Sequence, residues 1–180
     1  MRLSEQPLFS EETIQARVRE LAAEISLDYA GKPLVLVSVL KGAAVFASDL
    51  LRSLVIPAEL EFLRAKSYAG TQSAGTILLH HVPGEELKNK DVLLIEDILD
   101  TGETIAAVLE KLRAHKPASL AVCVLLDKPH RRAADISARY TGFRLNPRTS
   151  SDELFVVGYG LDYDEAYRGL RAIYTLHETR

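Results

Sequence analysis

The sequence predicts an α/β protein with a mostly parallel sheet flanked by helices. Three observations point there. Continuous apolar runs, such as Leu34-Val-Leu-Val-Ser-Val39, Asp91-Val-Leu-Leu-Ile-Glu96 and Leu120-Ala-Val-Cys-Val-Leu-Leu126, read as strands buried on both faces. Segments with apolar residues at helical spacing lie between them. Strand and helix alternate through the middle of the chain, as crossover units on a parallel sheet require.

The elements follow in order. Ser10 caps a helix whose first turn carries Glu11 and Glu12, acids that suit the positive end of the helix dipole. Ile14, Val18, Leu21, Ala22 and Ile25 form its apolar face, and Gly31-Lys-Pro33 stops it. Strand 34–39 runs into the Lys41-Gly42 turn and a helix over 43–55. A strand over 58–65, a polar loop over 66–75 and a strand over 76–82 come next, closed by Pro83-Gly84. Strand 91–96 leads to a helix over 104–115 with Ile105, Val108, Leu109 and Leu112 on one face. Strand 120–126 follows, then shorter strands over 140–143, 155–159 and 173–176.

Composition bounds the function. A chain of 180 residues predicts a single domain, 1–180, long enough to bury a core without crosslinks. With 22 Lys and Arg against 25 Asp and Glu, the net charge is −3. That argues against broad binding to nucleic acid or to an anionic membrane, and leaves room for a small anionic substrate held by local cations. The single cysteine excludes a disulfide framework and a multi-cysteine zinc site. Cys123 sits in an apolar run and reads as a core residue. No apolar run approaches the roughly 20 residues that span a bilayer. The start, Met1-Arg-Leu-Ser-Glu-Gln-Pro7, lacks a secretory apolar core, so a cytoplasmic location is expected. His80 and His81 are adjacent on a strand and point to opposite faces, which disfavours a shared metal.

The most informative segment is Val92-Leu-Leu-Ile-Glu-Asp-Ile-Leu-Asp-Thr-Gly-Glu-Thr104. A buried strand runs into Glu96, Asp97 and Asp100, then into a small-residue turn and a helix. Ligands of open parallel sheets bind at the carboxyl ends of strands. The Thr101-Gly-Glu-Thr104 turn offers backbone N–H groups and Thr hydroxyls to an anion, and Gly102 allows close approach. Acids beside an anion cradle are compatible if they face sugar hydroxyls and a divalent cation, since Mg²⁺ takes carboxylate and phosphate oxygens together. The segment therefore suits a phosphorylated ribose with a metal nearby. Taken singly, an acidic turn is more often a capped helix with solvated acids; here strand, acids and turn coincide.

Glu96-Asp-Ile-Leu-Asp-Thr-Gly-Glu-Thr104 resembles the phosphoribosyl pyrophosphate (PRPP) signature of type I phosphoribosyltransferases. Further segments resemble the hypoxanthine and hypoxanthine-guanine members. Val39-Leu-Lys-Gly-Ala43 is similar to a turn that lines the pyrophosphate site, where the Leu-Lys peptide is often cis. Leu125-Leu-Asp-Lys-Pro129 carries the Lys that meets a purine 6-oxo group, and Phe155-Val-Val-Gly-Tyr-Gly-Leu-Asp-Tyr-Asp-Glu-Ala-Tyr-Arg168 is similar to their C-terminal motif. Lys66-Ser-Tyr-Ala-Gly70 resembles their closing catalytic loop. The matching order spans roughly residues 34–176.

The resemblance implies the type I fold with a small hood from the terminal segments, contributed by the N-terminal helix and roughly 140–180. It implies roles as well. Glu96 and Asp97 bind ribose, and Asp100 is the catalytic base. Thr101, Gly102 and Thr104 hold phosphate, while Lys41, Gly42 and Arg168 meet pyrophosphate. Lys128, Phe155, Val156 and Asp162 hold the purine, and Ser67 and Tyr68 close the site. Mg²⁺ is the expected cofactor, with Glu96, Asp97 and Asp162 as its ligands. The expected partners are PRPP, hypoxanthine or guanine, IMP or GMP, and pyrophosphate, in a homodimer or homotetramer without nucleic acid or membrane. Two alternatives stay open: a xanthine- or guanine-preferring enzyme, and a regulator that binds nucleic acid through Lys128-Pro-His-Arg-Arg132.

Overall fold

The computed structural model describes residues 1–67, 77–145 and 155–177. The elements are β1 (Arg2–Leu3), α1 (Glu11–Asp28), β2 (Leu34–Leu40), α2 (Ala44–Ser53), β3 (Ala58–Ser67) and β4 (Ile77–His80). They continue with β5 (Asp91–Leu99), α3 (Glu103–Arg113), β6 (Ser119–Asp127), β7 (Tyr140–Arg144), β8 (Phe155–Val157) and β9 (Tyr174–His177). A six-stranded sheet runs β4-β3-β2-β5-β6-β7. Its pairs are parallel except at the β4 edge. The α/β class is thus present, with the parallel sheet expected from the apolar runs.

Those runs are continuous because both faces are covered. Leu34, Leu36, Leu93, Ile95, Cys123 and Leu125 face a core shared with α1 and α2. Val35, Val37, Val92, Leu94, Val122 and Val124 face the α3 side. Successive strand residues point to opposite faces, so each apolar residue fills one core or the other. Cys123 is fully buried there, and burial pushes its thiol pKa up, the behaviour of a core residue. The Ser10 hydroxyl accepts from the Thr13 amide at 3.3 Å, capping α1 as its sequence position suggests.

A second, three-stranded sheet, β1-β9-β8, is built from the two terminal regions. Its N-terminal contribution is Arg2–Leu3, paired with His177 and Leu176. Helix α1 packs instead against α2 and β7, and β7 is the edge strand of the main sheet beside β6. The short β1 has no period to reveal it in sequence. β3 runs two residues past the expected end because antiparallel β4 pairs with it as far as Ser67–Ile77. Among the described residues, no helix is long and apolar enough to cross a membrane.

Phe46 of α2 is completely buried in the α1/α2 core. Phe46→Ala is expected to cost about 3–5 kcal/mol in denaturant-induced unfolding, from lost transfer energy plus the cavity left behind.

Candidate active site

Strands β2 and β5 are neighbours, yet the chain leaves them in opposite directions: β2 leads to β3, and β5 to β6. That reversal opens a crevice at their carboxyl ends, where ligands of such sheets bind. A cavity of about 310 Å³ lies there, reached by Lys41, Gly42, Glu96, Asp97, Asp100 and the Thr101–Thr104 turn. Asp162 and Arg168 close it from the C-terminal segment. A second cavity of about 240 Å³ adjoins it, lined by Lys128, Phe155, Val156 and Leu161, and shares Asp97, Ile98, Asp100 and Asp162 with the first. All the described residues expected at the site line one cavity or both. The Ser67 side chain and Tyr68 lie outside what the structure describes.

The end of β5 and the loop after it carry the acids: Glu96 and Asp97 on the strand, Asp100 just beyond it. Glu96 and Asp97 are consecutive, and burial raises both carboxyl pKa values; the neighbouring Asp97 charge pushes Glu96 further up. Glu96 Oε1 accepts from the Asp97 amide at 3.3 Å, and Asp97 Oδ1 from the Ile98 amide at 2.8 Å. Gly102 caps α3 in the left-handed region, φ +86°, where a side chain would also press on Arg132 and Ala134. Glu103 lies in the first turn of α3, exposed, where an acid suits the dipole.

Two turns then meet Asp97 of β5. The Leu40–Lys41 peptide is cis, as in the family turn it resembles. A Cβ on Gly42 would overlap the Asp97 carboxylate, and one on Gly160 would overlap the Gly42 carbonyl. Glycine is required at both positions for the loops to touch. Tyr159, between Gly158 and Gly160, adopts φ +52°. Its hydroxyl donates to Asp49 Oδ2 at 2.8 Å, and Gln15 Nε2 donates to the same oxygen at 2.6 Å. Helices α1 and α2 thereby anchor the strained turn. Sequence reasoning passed over Asp49 and Gln15, which look like ordinary helix-surface residues.

The basic run after Lys128 turns inward. Arg131 Nε lies 2.7 Å from Asp100 Oδ1. Arg132 Nη1 donates to the Asp100 carbonyl at 2.6 Å, and its Nη2 bonds the buried Asp127 carboxylate. The Ala133 and Ala134 amides both donate to the Thr101 carbonyl, at 2.9 and 3.0 Å. This segment holds the backbone of the loop between β5 and α3 in shape, so the cluster has a structural task that a solvated patch would lack. Burial lowers the Lys128 pKa, with Asp100 pulling the other way.

The donor set fits Mg²⁺. Glu96 and Asp97 are adjacent hard carboxylates whose burial leaves a deficit of positive charge. Among the described residues no group of three or more His, Cys, Asp or Glu side chains is arranged to hold a metal. Mg²⁺ bound by one or two carboxylates and completed by substrate oxygens needs no such cage. Asp162 is engaged by Arg168 at 2.8 Å.

A family model, the phosphoribosyl transferase domain, matches residues 8–164. A hypoxanthine-guanine phosphoribosyltransferase of Staphylococcus aureus is 48% identical over 170 residues, covering 94% of this chain and 92% of the relative. A crystal structure of a hypoxanthine phosphoribosyltransferase from the same species aligns with a TM-score of 0.86 at 43% identity, covering 96% of this chain and 91% of that one. A crystal structure of a hypoxanthine-guanine phosphoribosyltransferase from Bacillus anthracis gives a TM-score of 0.88 at 38% identity, over 98% of this chain and 100% of that one. Fold, crevice and matches agree, and the chain belongs to the phosphoribosyltransferase family. Its relatives place it in the hypoxanthine-guanine branch, whose members are enzymes of purine salvage.

The raised Glu96 pKa carries a stability consequence. Above the ordinary carboxylate value and below the raised one, the folded chain holds more protons than the unfolded chain. Stability therefore falls as pH rises through that window. Glu96→Gln removes the penalty, so its Tm at pH 7 is expected to rise by about 2–4 °C per kcal/mol recovered, measured by calorimetry.

Proposed function

We propose that this enzyme transfers 5-phosphoribosyl from PRPP to hypoxanthine, and to guanine, giving IMP or GMP and pyrophosphate. The observation that carries it is the pair of adjoining cavities sharing Asp97, Asp100 and Asp162: one is an anion cradle lined with acids, the other a slot with an aromatic face and an ammonium. The 5′-phosphate sits at the Thr101–Thr104 turn against backbone N–H groups at the start of α3. Ribose hydroxyls donate to Glu96 and Asp97. Phe155, half exposed, offers its ring to a flat heterocycle, with Val156 at the edge. Lys128 has only donors, so it suits a 6-oxo group and rejects a 6-amino group.

Glu96 and Asp97 would hold Mg²⁺, with Asp162 nearby; when bound, it supplies charge neutralisation to the phosphate and pyrophosphate oxygens. Lys41 and Arg168 add positive charge where pyrophosphate departs. Asp100 takes the N7 proton of the incoming purine. Its backbone is clamped by Arg132 and its carboxylate faces Arg131, so the base is held in one orientation. Ser67 and Tyr68 close over the site and keep water from the ribosyl cation. The working enzyme on this reading is a cytoplasmic homodimer or homotetramer, a state that sedimentation measures.

Steady-state assays with hypoxanthine, guanine and xanthine, each with and without Mg²⁺, test the proposal. Transfer to the first two that depends on Mg²⁺ is expected. Preference for xanthine would reassign the base, and salt-sensitive RNA or DNA binding without transfer would overturn the activity. Asp100→Asn is expected to lower kcat by about 10²–10⁴-fold, the usual worth of a general base, with KM for PRPP little changed. Near-normal turnover would remove Asp100 from that role.

A further inference from the structure

Glu165 has no part in the roles assigned above, yet it occupies a telling position. Its carboxylate bridges the two cations of the pyrophosphate end: Oε1 lies 2.8 Å from Lys41 Nζ, and Oε2 lies 3.3 Å from Arg168 Nη2. Lys41 comes from the turn after β2 and Arg168 from the C-terminal segment, and both line the larger cavity. The diphosphate of PRPP and free pyrophosphate need those same donors.

The carboxylate is delivered by a built turn. Asp164, Glu165 and Tyr167 all have positive φ, at +50°, +62° and +72°. The Glu165 amide donates to Asp162 Oδ2 at 2.9 Å, and Tyr163 and Ala166 exchange backbone bonds at 3.3 and 3.0 Å. Asp162 itself pairs with Arg168, which also donates to the Gly160 carbonyl at 2.8 Å. Glu165 is therefore tied into the frame of the site rather than free on a long tether. Its side chain and that of Lys41 are both largely exposed, so the bridge is weak enough for an incoming polyanion to displace.

We propose that Glu165 is a positioning residue of the pyrophosphate subsite: its carboxylate holds Lys41 and Arg168 at the cavity between turnovers, and competes with pyrophosphate for them, hastening its departure. This rests on the assignment of Lys41 and Arg168 to pyrophosphate. The exchange is of one anion for another on fixed cations, with no bond made or broken.

The test is calorimetric titration of the full-length enzyme with pyrophosphate, alongside pyrophosphate product inhibition. Glu165→Gln keeps the shape and removes the charge. Its Kd for pyrophosphate is expected to fall about 5- to 10-fold, because two exposed ion pairs are lost as competitors at a few-fold each. Glu165→Ala must tighten pyrophosphate as well. A purely structural role for Glu165 predicts the opposite sign, since a disordered turn would misplace Arg168; unchanged or weaker binding in both variants overturns the proposal. Lys41→Met separates the two levels. If it leaves pyrophosphate binding unchanged, the subsite assignment fails and the role of Glu165 with it. If it weakens binding while the Glu165 variants do not tighten it, the competitor role alone falls.

Discussion

The site depends on one packing constraint: the turn after β2, the Asp97 carboxylate of β5 and the turn after β8 meet through two glycines. Gly42 lies against the Asp97 carboxylate, and Gly160 lies against the Gly42 carbonyl. A Cβ at either place would push the turns apart. The two contacts set where Lys41 leaves β2 relative to Asp97 on β5, and where the segment carrying Asp162, Glu165 and Arg168 returns. Preorganisation here is backbone against a carboxylate at Gly42 and backbone against backbone at Gly160. The Asp49 carboxylate then fixes the outermost turn to two helices by accepting from Tyr159 and Gln15. Helices α1 and α2, which line neither cavity, are thus part of what holds the site in shape.

Electrostatics follow from that geometry. The loops bring together charges that would otherwise stay in water. Glu96 is buried and Asp97 beside it partly so, and loss of water raises both carboxyl pKa values. The nearby arginines are already engaged: Arg132 with Asp127, Arg131 with Asp100, and Arg168 with Asp162 and Glu165. On the proposed reading, a cation and a polyanion together would relieve this charge placement. The core on both faces of the sheet carries its cost, with the middle of β2 and β5 and most of β6 buried.

Much of this was legible in the chain. The apolar runs at 34–39, 91–96 and 120–126 announced buried parallel strands, because a sheet covered on both faces leaves no alternation to read. Glu96, Asp97, Asp100 and the Thr101–Thr104 turn stood out because acids, strand end and helix start coincide. Lys41, Lys128, Phe155 and Arg168 were visible only through resemblance to a family; their local patterns are those of any turn or strand end. Other features were hidden. β1 is too short to carry a period. Asp49 and Gln15 act across elements that only the fold brings together. The clamp of Arg132 on the Asp100 carbonyl was hidden, since composition does not tell which way a guanidinium turns. Glu165 is one acid in an acidic motif until its distances to Lys41 and Arg168 are seen.

The small sheet has a bearing on how the molecule comes into being. Phe155 and Val156, which line the smaller cavity, pair with β9, which pairs with β1 on its far side. A ribosome delivers β1 first and β9 last, so β1 waits unpaired while everything between is made. The main sheet has all its strands by Arg144 and can consolidate early. The small sheet cannot. On the proposed reading, nascent chains would hold the Thr101–Thr104 turn in place before the wall at Phe155 is paired.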